Sequence, residues 1–191
     1  MVTIHVPGVR CGLPRLAVKV TVLPGISAFT AGLYFAACQV GYFLHMEFNL
    51  SSTFVSFYVT IGMWLLGGLL GLCVRRAGLG PLMMTVGLGA YYAHWWILTT
   101  FPFEMCWLPL DLFFIFATAW YSGYFFRQAR PQFGSARSLF FHENNGFLLG
   151  YVVALVDLLL YGQTALQILP VVTAVGHLIP QAVARRGKAA S

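Results

Sequence analysis

Along most of this chain apolar residues run on in long blocks broken by short polar segments, with little of the alternation of a half-buried strand. Six windows of about 18 residues or more with few charges stand out, at 23–44, 53–74, 80–100, 106–126, 144–162 and 164–184. A bilayer core roughly 30 Å thick takes about 20 apolar residues per helix, so each window predicts one membrane-spanning helix. The expected architecture is all-α: a polytopic membrane bundle of six transmembrane helices over 23–184. Residues 1–22 form an N-terminal segment and 185–191 a tail.

Charge placement orients the bundle. Arg10, Arg15 and Lys19 precede the first span, Arg75 and Arg76 follow the second, Arg127, Arg130 and Arg137 follow the fourth, and Arg185, Arg186 and Lys188 follow the sixth. All 11 basic residues fall on one side when six spans are drawn, and the opposite loops carry Glu47 and Glu104. Basic loops stay in the cytoplasm, which puts both termini there and suits a bacterial inner membrane. The first window contains Phe35-Ala36-Ala37-Cys38, which loosely imitates a lipoprotein cleavage site. The long basic stretch before it reads as that of an anchor rather than a removed leader.

Composition agrees: 59% of the 191 residues are hydrophobic, only 8% are charged, and the mean hydropathy is +0.79. A soluble domain carries about 25% charged residues, so this chain cannot cover a globular surface. The formal charge of +6 follows from the cytoplasmic loops and does not imply nucleic acid. Cys11, Cys38, Cys73 and Cys106 are scattered singly, with no C-x-x-C or zinc spacing. The longest polar piece, Arg127 to Glu143, divides the chain into a four-span and a two-span part.

Lipid supplies no hydrophobic drive for helices to associate, so small residues that let backbones approach mark the contact faces. Ala28, Gly32 and Ala36 recur every four residues, as do Gly67 and Gly71, and Gly146, Gly150 and Ala154; Gly87 and Ala90 share a face. The first reading is packing within one bundle, with a dimer interface as the sharper alternative.

Intramembrane polar groups are costly and turn away from lipid. Gln39, His94 and Asp157 each extend a small-residue face and lie roughly 8 to 11 Å deep at 1.5 Å per residue, so the three can share a layer as a proton or substrate site. His177 sits deeper, and an axial offset of roughly 9 Å disfavours a haem held by His94 and His177. No cofactor is otherwise indicated. His142 and Glu143 are a candidate metal pair, although Asn144 or Asn145 reads more simply as the cap of the fifth span. His45, Glu47, Glu104 and Asp111 form a second possible metal set among loop residues, where Trp95, Trp96, Trp107 and Tyr42 read as interfacial anchors. No nucleophile elbow, Walker loop, H-E-x-x-H or G-x-G-x-x-G is present, and no catalytic residue is assigned.

The run Ala31-Gly32-Leu33-Tyr34-Phe35-Ala36-Ala37-Cys38-Gln39-Val40, then Asn49-Leu50-Ser51-Ser52 and Gly67-Gly68-Leu69-Leu70-Gly71, resembles the membrane part of spermidine-synthase-like proteins of the major facilitator type. That group often carries an acid where this chain has Gln39. Glu143-Asn144-Asn145-Gly146-Phe147-Leu148-Leu149-Gly150 is similar to its later Asn-x-x-Gly segment. Gly68 to Gly80, with Arg75, Arg76 and Gly78, also looks like a major facilitator loop without its acid. The resemblance implies a membrane fold; the soluble synthase domain has no counterpart in these residues, so polyamine synthesis is not implied. Three functions are then expected in turn. The first is a half-size major-facilitator-like bundle binding or moving a small solute. The second is a non-catalytic accessory subunit of a larger membrane complex. The third is a membrane redox protein or enzyme using His94, His177 or Asp157. Partners are the lipid bilayer and either a second copy or other membrane subunits.

Overall fold

The computed structural model of the chain is an all-helical bundle. It describes residues 14–50 and 54–189, with side chains described for 22–50 and 54–182. Six helices follow in order: α1 Pro14–Asn49, α2 Phe54–Cys73, α3 Gly80–Thr100, α4 Leu108–Ala129, α5 Ala136–Tyr161 and α6 Gln163–Ala189. Among the described residues five segments are long and apolar enough to cross a membrane: Val22–Asn49, Phe54–Cys73, Met105–Gln132, Ala136–Tyr161 and Gln163–Ala182. α3 matches its neighbours in length at 21 residues, but Tyr91, Tyr92, His94, Trp95 and Trp96 lower its mean hydropathy below theirs.

The helices overrun several of the expected boundaries. α1 extends back to Pro14, so part of the expected N-terminal segment is helical. Arg10 and Cys11, and the side chains of Arg15, Lys19, Arg185, Arg186 and Lys188, lie outside the described residues. α5 begins at Ala136, where Ser135 caps it by accepting a hydrogen bond from the Ser138 amide at 3.1 Å. Asn144 and Asn145 are therefore inside the helix and not caps; Asn145 instead donates back to the Phe141 carbonyl. The polar stretch 127–143 is mostly helical, leaving only a 3-10 turn at Arg130–Gln132 and three residues as a connection.

Packing also departs from the four-plus-two division. α1 packs most extensively against α5 and then α6, while α4 packs against α2 and α3. The groups are thus α1–α5–α6 and α2–α3–α4, with α1 touching every other helix. Glycines explain the two tightest pairs. A Cβ on Gly32 would overlap the Glu143 carbonyl oxygen, and one on Gly146 the Phe29 carbonyl oxygen. Gly150 faces Leu33 and Ala36 across the same contact. In α2, Gly67 and Gly71 press on the Phe116 and Trp120 carbonyls of α4, and Gly123 of α4 presses back on Gly68. The stripes accordingly serve contacts inside this bundle. Gly162 alone turns α5 into α6, with a φ of 64° that suits only glycine without strain.

The distribution of polarity is inverted relative to a soluble protein. On α2 the buried positions are Ser56, Thr60, Trp64, Gly67 and Gly71, while Phe54, Val55, Leu65, Leu66, Leu69 and Leu70 are exposed. α5 buries Glu143, Gly146, Gly150 and Ala154 and exposes Leu148, Val152, Leu159 and Leu160. Hydrocarbon accepts the exposed set and forces polar groups to find partners inside. Between α1, α2 and α4 the core is aromatic: Phe35 meets Trp64, Tyr121 and Phe125 edge to face at 5.9 to 6.3 Å.

Candidate functional site

The bundle's polar side chains gather at two levels, both organised by α1. Tyr34, Cys38, Tyr42 and His45 follow one another at spacings of four, four and three, which keeps them on one face of a helix. All four are buried.

The first level lies near the carboxyl end of α1. His94 of α3 and Asp111 of α4 are both fully buried and joined at 2.9 Å through Nδ1 and Oδ1. α3 ends six residues after His94 and α4 begins three before Asp111, so the antiparallel pair brings the two side chains level. Beside them, the Tyr91 hydroxyl donates to the Leu166 carbonyl at 2.7 Å and meets His45 Nε2 at 3.2 Å. A hydroxyl has one hydrogen. Because that hydrogen is directed at Leu166, His45 Nε2 must be the donor to Tyr91, and in the neutral ring Nδ1 carries a lone pair. By the same reasoning His94 Nδ1–H donates to the Asp111 carboxylate. The Thr118 hydroxyl donates to the Gly87 carbonyl at 2.8 Å and lies 2.6 Å from the Tyr42 hydroxyl, which also reaches the Phe114 carbonyl at 3.1 Å. Tyr42 then lies against the His94 ring, centroids 4.7 Å apart.

Once these bonds are assigned, His45 Nδ1, His94 Nε2 and Asp111 Oδ2 remain buried without a partner. The two imidazole rings are 6.3 Å apart. Such groups are nearly always satisfied in folded proteins, and each one left over calls for an explanation. Gly41 gives the site its room, since a Cβ there would collide with the Tyr91 ring.

The second level surrounds His177 of α6. Its Nε2 lies 2.8 Å from the Tyr121 hydroxyl and 2.7 Å from the Gln181 amide, and its Nδ1 lies 3.1 Å from the Thr30 hydroxyl. Both ring nitrogens are satisfied within the protein. His177 thus behaves as a cross-link between α1, α4 and α6, in contrast to the open pair above it.

Three residues expected to share a layer do not meet. His94 takes Asp111 as its carboxylate and not Asp157. Asp157 is half-buried on α5 and takes part in no ion pair among the described residues; Gln39 is half-buried and does not reach His94. The loop assignment of His45 and Asp111 is also corrected, as both are 0% exposed, whereas Glu104 is exposed and accepts from the Cys106 thiol. Tyr42, read as an interfacial anchor, is fully buried and hydrogen-bonded; Trp96 is exposed at 59%. His142 and Glu143 project about 100° apart around α5, as neighbours on a helix must: the His142 ring lies against Gly25 of α1, while Glu143, whose backbone carbonyl abuts Gly32, is buried. Among the described residues no group of three His, Cys, Asp or Glu is assembled for a metal ion. His94 and His177 sit in separate networks.

No protein-family model matches the chain, and no curated protein or solved structure matches it either.

Proposed function

We propose that the chain is an integral membrane protein of six spans with both termini in the cytoplasm, and that it holds a proton-exchanging centre made of His94, Asp111 and His45. One observation carries this reading: three buried acceptor atoms, on two imidazoles and a carboxylate, lie within one small region with no protein donor aimed at them. Acceptors without donors call for a species that brings hydrogens. A proton does so, carried by a water or hydronium that hydrogen-bonds the free ring nitrogens. Protonation also redistributes charge productively here. Asp111 holds the Nδ1–H of His94 in place, which orients the ring and stabilises an imidazolium when Nε2 takes up a proton. The expectation of small-solute binding is thereby narrowed to the smallest solute, and it does not depend on the major facilitator relationship.

The six-span arrangement is supported by the length of α3 and by the grouping of basic residues. Arg127 donates to the Leu72 carbonyl of α2 at 2.7 Å, which sets the basic segments after α2 and α4 at one end. At the other end the Phe103 amide donates to the Asn49 carbonyl at 2.6 Å, and the proton centre lies one to two helical turns below it. Cys73 and Cys106 are both exposed and lie at opposite ends, so they report orientation directly. With single-cysteine chains in intact cells, a membrane-impermeant maleimide is expected to label Cys106, and to label Cys73 only after permeabilisation. The reverse pattern, or labelling of both from outside, contradicts the orientation.

Infrared difference spectroscopy of the protein in liposomes tests the centre. Stepping the pH is expected to shift the antisymmetric stretching band of the Asp111 carboxylate as the imidazolium forms beside it. Asp111→Asn, which keeps the shape and an acceptor for His94, is expected to abolish that band, and Asp157→Asn to leave it. A band unchanged by Asp111→Asn refutes the reading.

A further inference from the structure

The connection between α2 and α3, residues 74–79, is short and held at both ends. The Val74 amide donates to the Gly71 carbonyl at 3.2 Å, the Leu79 amide donates to the Tyr124 hydroxyl of α4 at 3.0 Å, and Gly78 makes the turn at a φ of 87°. Against this connection lies a cavity of about 230 Å³ between α3 and α4, walled by Val74 and Leu79, by Leu82 and Val86 of α3, and by Ala117 and Trp120 of α4. Every residue that lines it is apolar. Leu82, Val86 and Trp120 are also exposed, so the cavity opens sideways toward the bilayer. α3 rises about 9 Å from Gly80 to Val86, which carries the cavity from the helix ends down into the hydrocarbon. It lies at the end of the bundle where Arg127 meets the Leu72 carbonyl, away from the proton centre.

The mouth of this cavity is cationic. Arg75 and Arg76 follow Val74 directly, both are exposed, and neither is in an ion pair among the described residues. No acid occurs between Glu47 and Glu104 in the sequence, so nothing on α2, the connection or α3 answers their charge. Arginine suits a phosphodiester in particular, because its planar fork donates two parallel hydrogen bonds to one phosphate. An apolar slot that continues into a guanidinium pair at headgroup depth describes an amphiphile with an anionic head. The volume falls below the roughly 300 to 1,000 Å³ of sites that enclose a whole ligand, which suits part of one acyl chain whose remainder stays in the bilayer. We propose that this is a binding site for an anionic phospholipid, with one acyl chain between α3 and α4 and the phosphodiester on Arg75 and Arg76. Basic loops attract anionic lipid loosely through charge alone, and an apolar flank accepts any acyl chain; a built site requires both features together.

Native mass spectrometry of the full chain, released from nanodiscs of equal phosphatidylglycerol and phosphatidylcholine with identical acyl chains, separates these cases. The wild type is expected to retain one phosphatidylglycerol, favoured over phosphatidylcholine by about tenfold. Arg75→Gln with Arg76→Gln is expected to bring the ratio close to parity, while Arg137→Gln, which removes a charge from the start of α5, is expected to leave it intact. Ala117→Phe narrows the cavity from α4, and Val86→Phe narrows it from the exposed flank, where no core packing is at stake. Both keep every charge, and both are expected to lose the retained phosphatidylglycerol with thermal unfolding of Val86→Phe unchanged. The proposal is overturned by a wild type without enrichment, by enrichment that survives the double arginine variant, or by enrichment that survives both cavity variants or falls equally with Arg137→Gln, the last two being the marks of diffuse charge. Release as a dimer without retained lipid overturns it in favour of a second copy on this face.

Discussion

Alanine at Gly146 or Gly123 is expected to destabilise the bundle by about 1 to 3 kcal/mol, and valine at either position to prevent folding. The reason is the hardness of what the new atom meets. At Gly146 a Cβ runs into the Phe29 carbonyl of α1, and at Gly123 into the Gly68 carbonyl of α2. Neither obstacle is the tip of a side chain that can turn aside; the helix axes themselves must separate. Separation costs more here than in water, because packing at short range is the main force holding membrane helices together. Gly62 and Gly89 supply the control, since a Cβ at either meets nothing within 4 Å. Their alanine variants are expected to match the wild type within about 1 kcal/mol. Thermal unfolding in a mild detergent, followed by tryptophan fluorescence, ranks the four. Equal effects at all four positions would show that the helix contacts are not as described.

Asp111→Ala is expected to be the most damaging single change at a polar residue, with a loss of about 3 to 5 kcal/mol. Both partners of the His94–Asp111 pair are 0% exposed, so deletion of the carboxylate leaves the buried His94 Nδ1–H without its acceptor. Asp111→Asn retains an oxygen at the same place and is expected to recover most of the stability while losing proton exchange. Stability and function therefore part company between two substitutions at one position, measured by unfolding and by infrared spectroscopy respectively. The same loss for alanine and asparagine would mean that charge, and not the hydrogen bond, holds the pair. Asp157→Ala is expected to be nearly silent, since Asp157 is half-buried and in no ion pair among the described residues.

The existence of the helices and their tight faces were legible in the sequence, because span length and the four-residue spacing of Gly32 and Ala36, or Gly146 and Gly150, express constraints local to one helix. The partner of each face was not: nothing in the spacing says that α1 meets α5 and not α2. Hydropathy also misplaced Asp111. A carboxylate three residues into α4, following Glu104 and Trp107, looks like part of a loop when residues are counted from the end of an apolar window. The sequence carries a second signal. Asp111, Ile115, Thr118 and Ser122 recur at helical spacing and are all buried, as are Tyr34, Cys38, Tyr42 and His45 on α1. In a membrane helix the polar stripe marks the inside, so those two stripes with Tyr91 and His94 outline the centre. The choice of Asp111 over Asp157 as the partner of His94 required the third dimension, because both carboxylates lie at similar distances from helix ends.

The most direct measurement of the central claim is nitrogen-15 NMR of the histidine side chains, with the protein in liposomes and the pH varied. The expected result is a His94 ring with its proton on Nδ1 and an Nε2 signal that moves as a proton is taken up, a His45 ring protonated on Nε2, and a His177 ring that stays fixed by Tyr121, Thr30 and Gln181. A His94 signal fixed across the range, or movement confined to His177, would contradict a proton-exchanging centre at His94, Asp111 and His45.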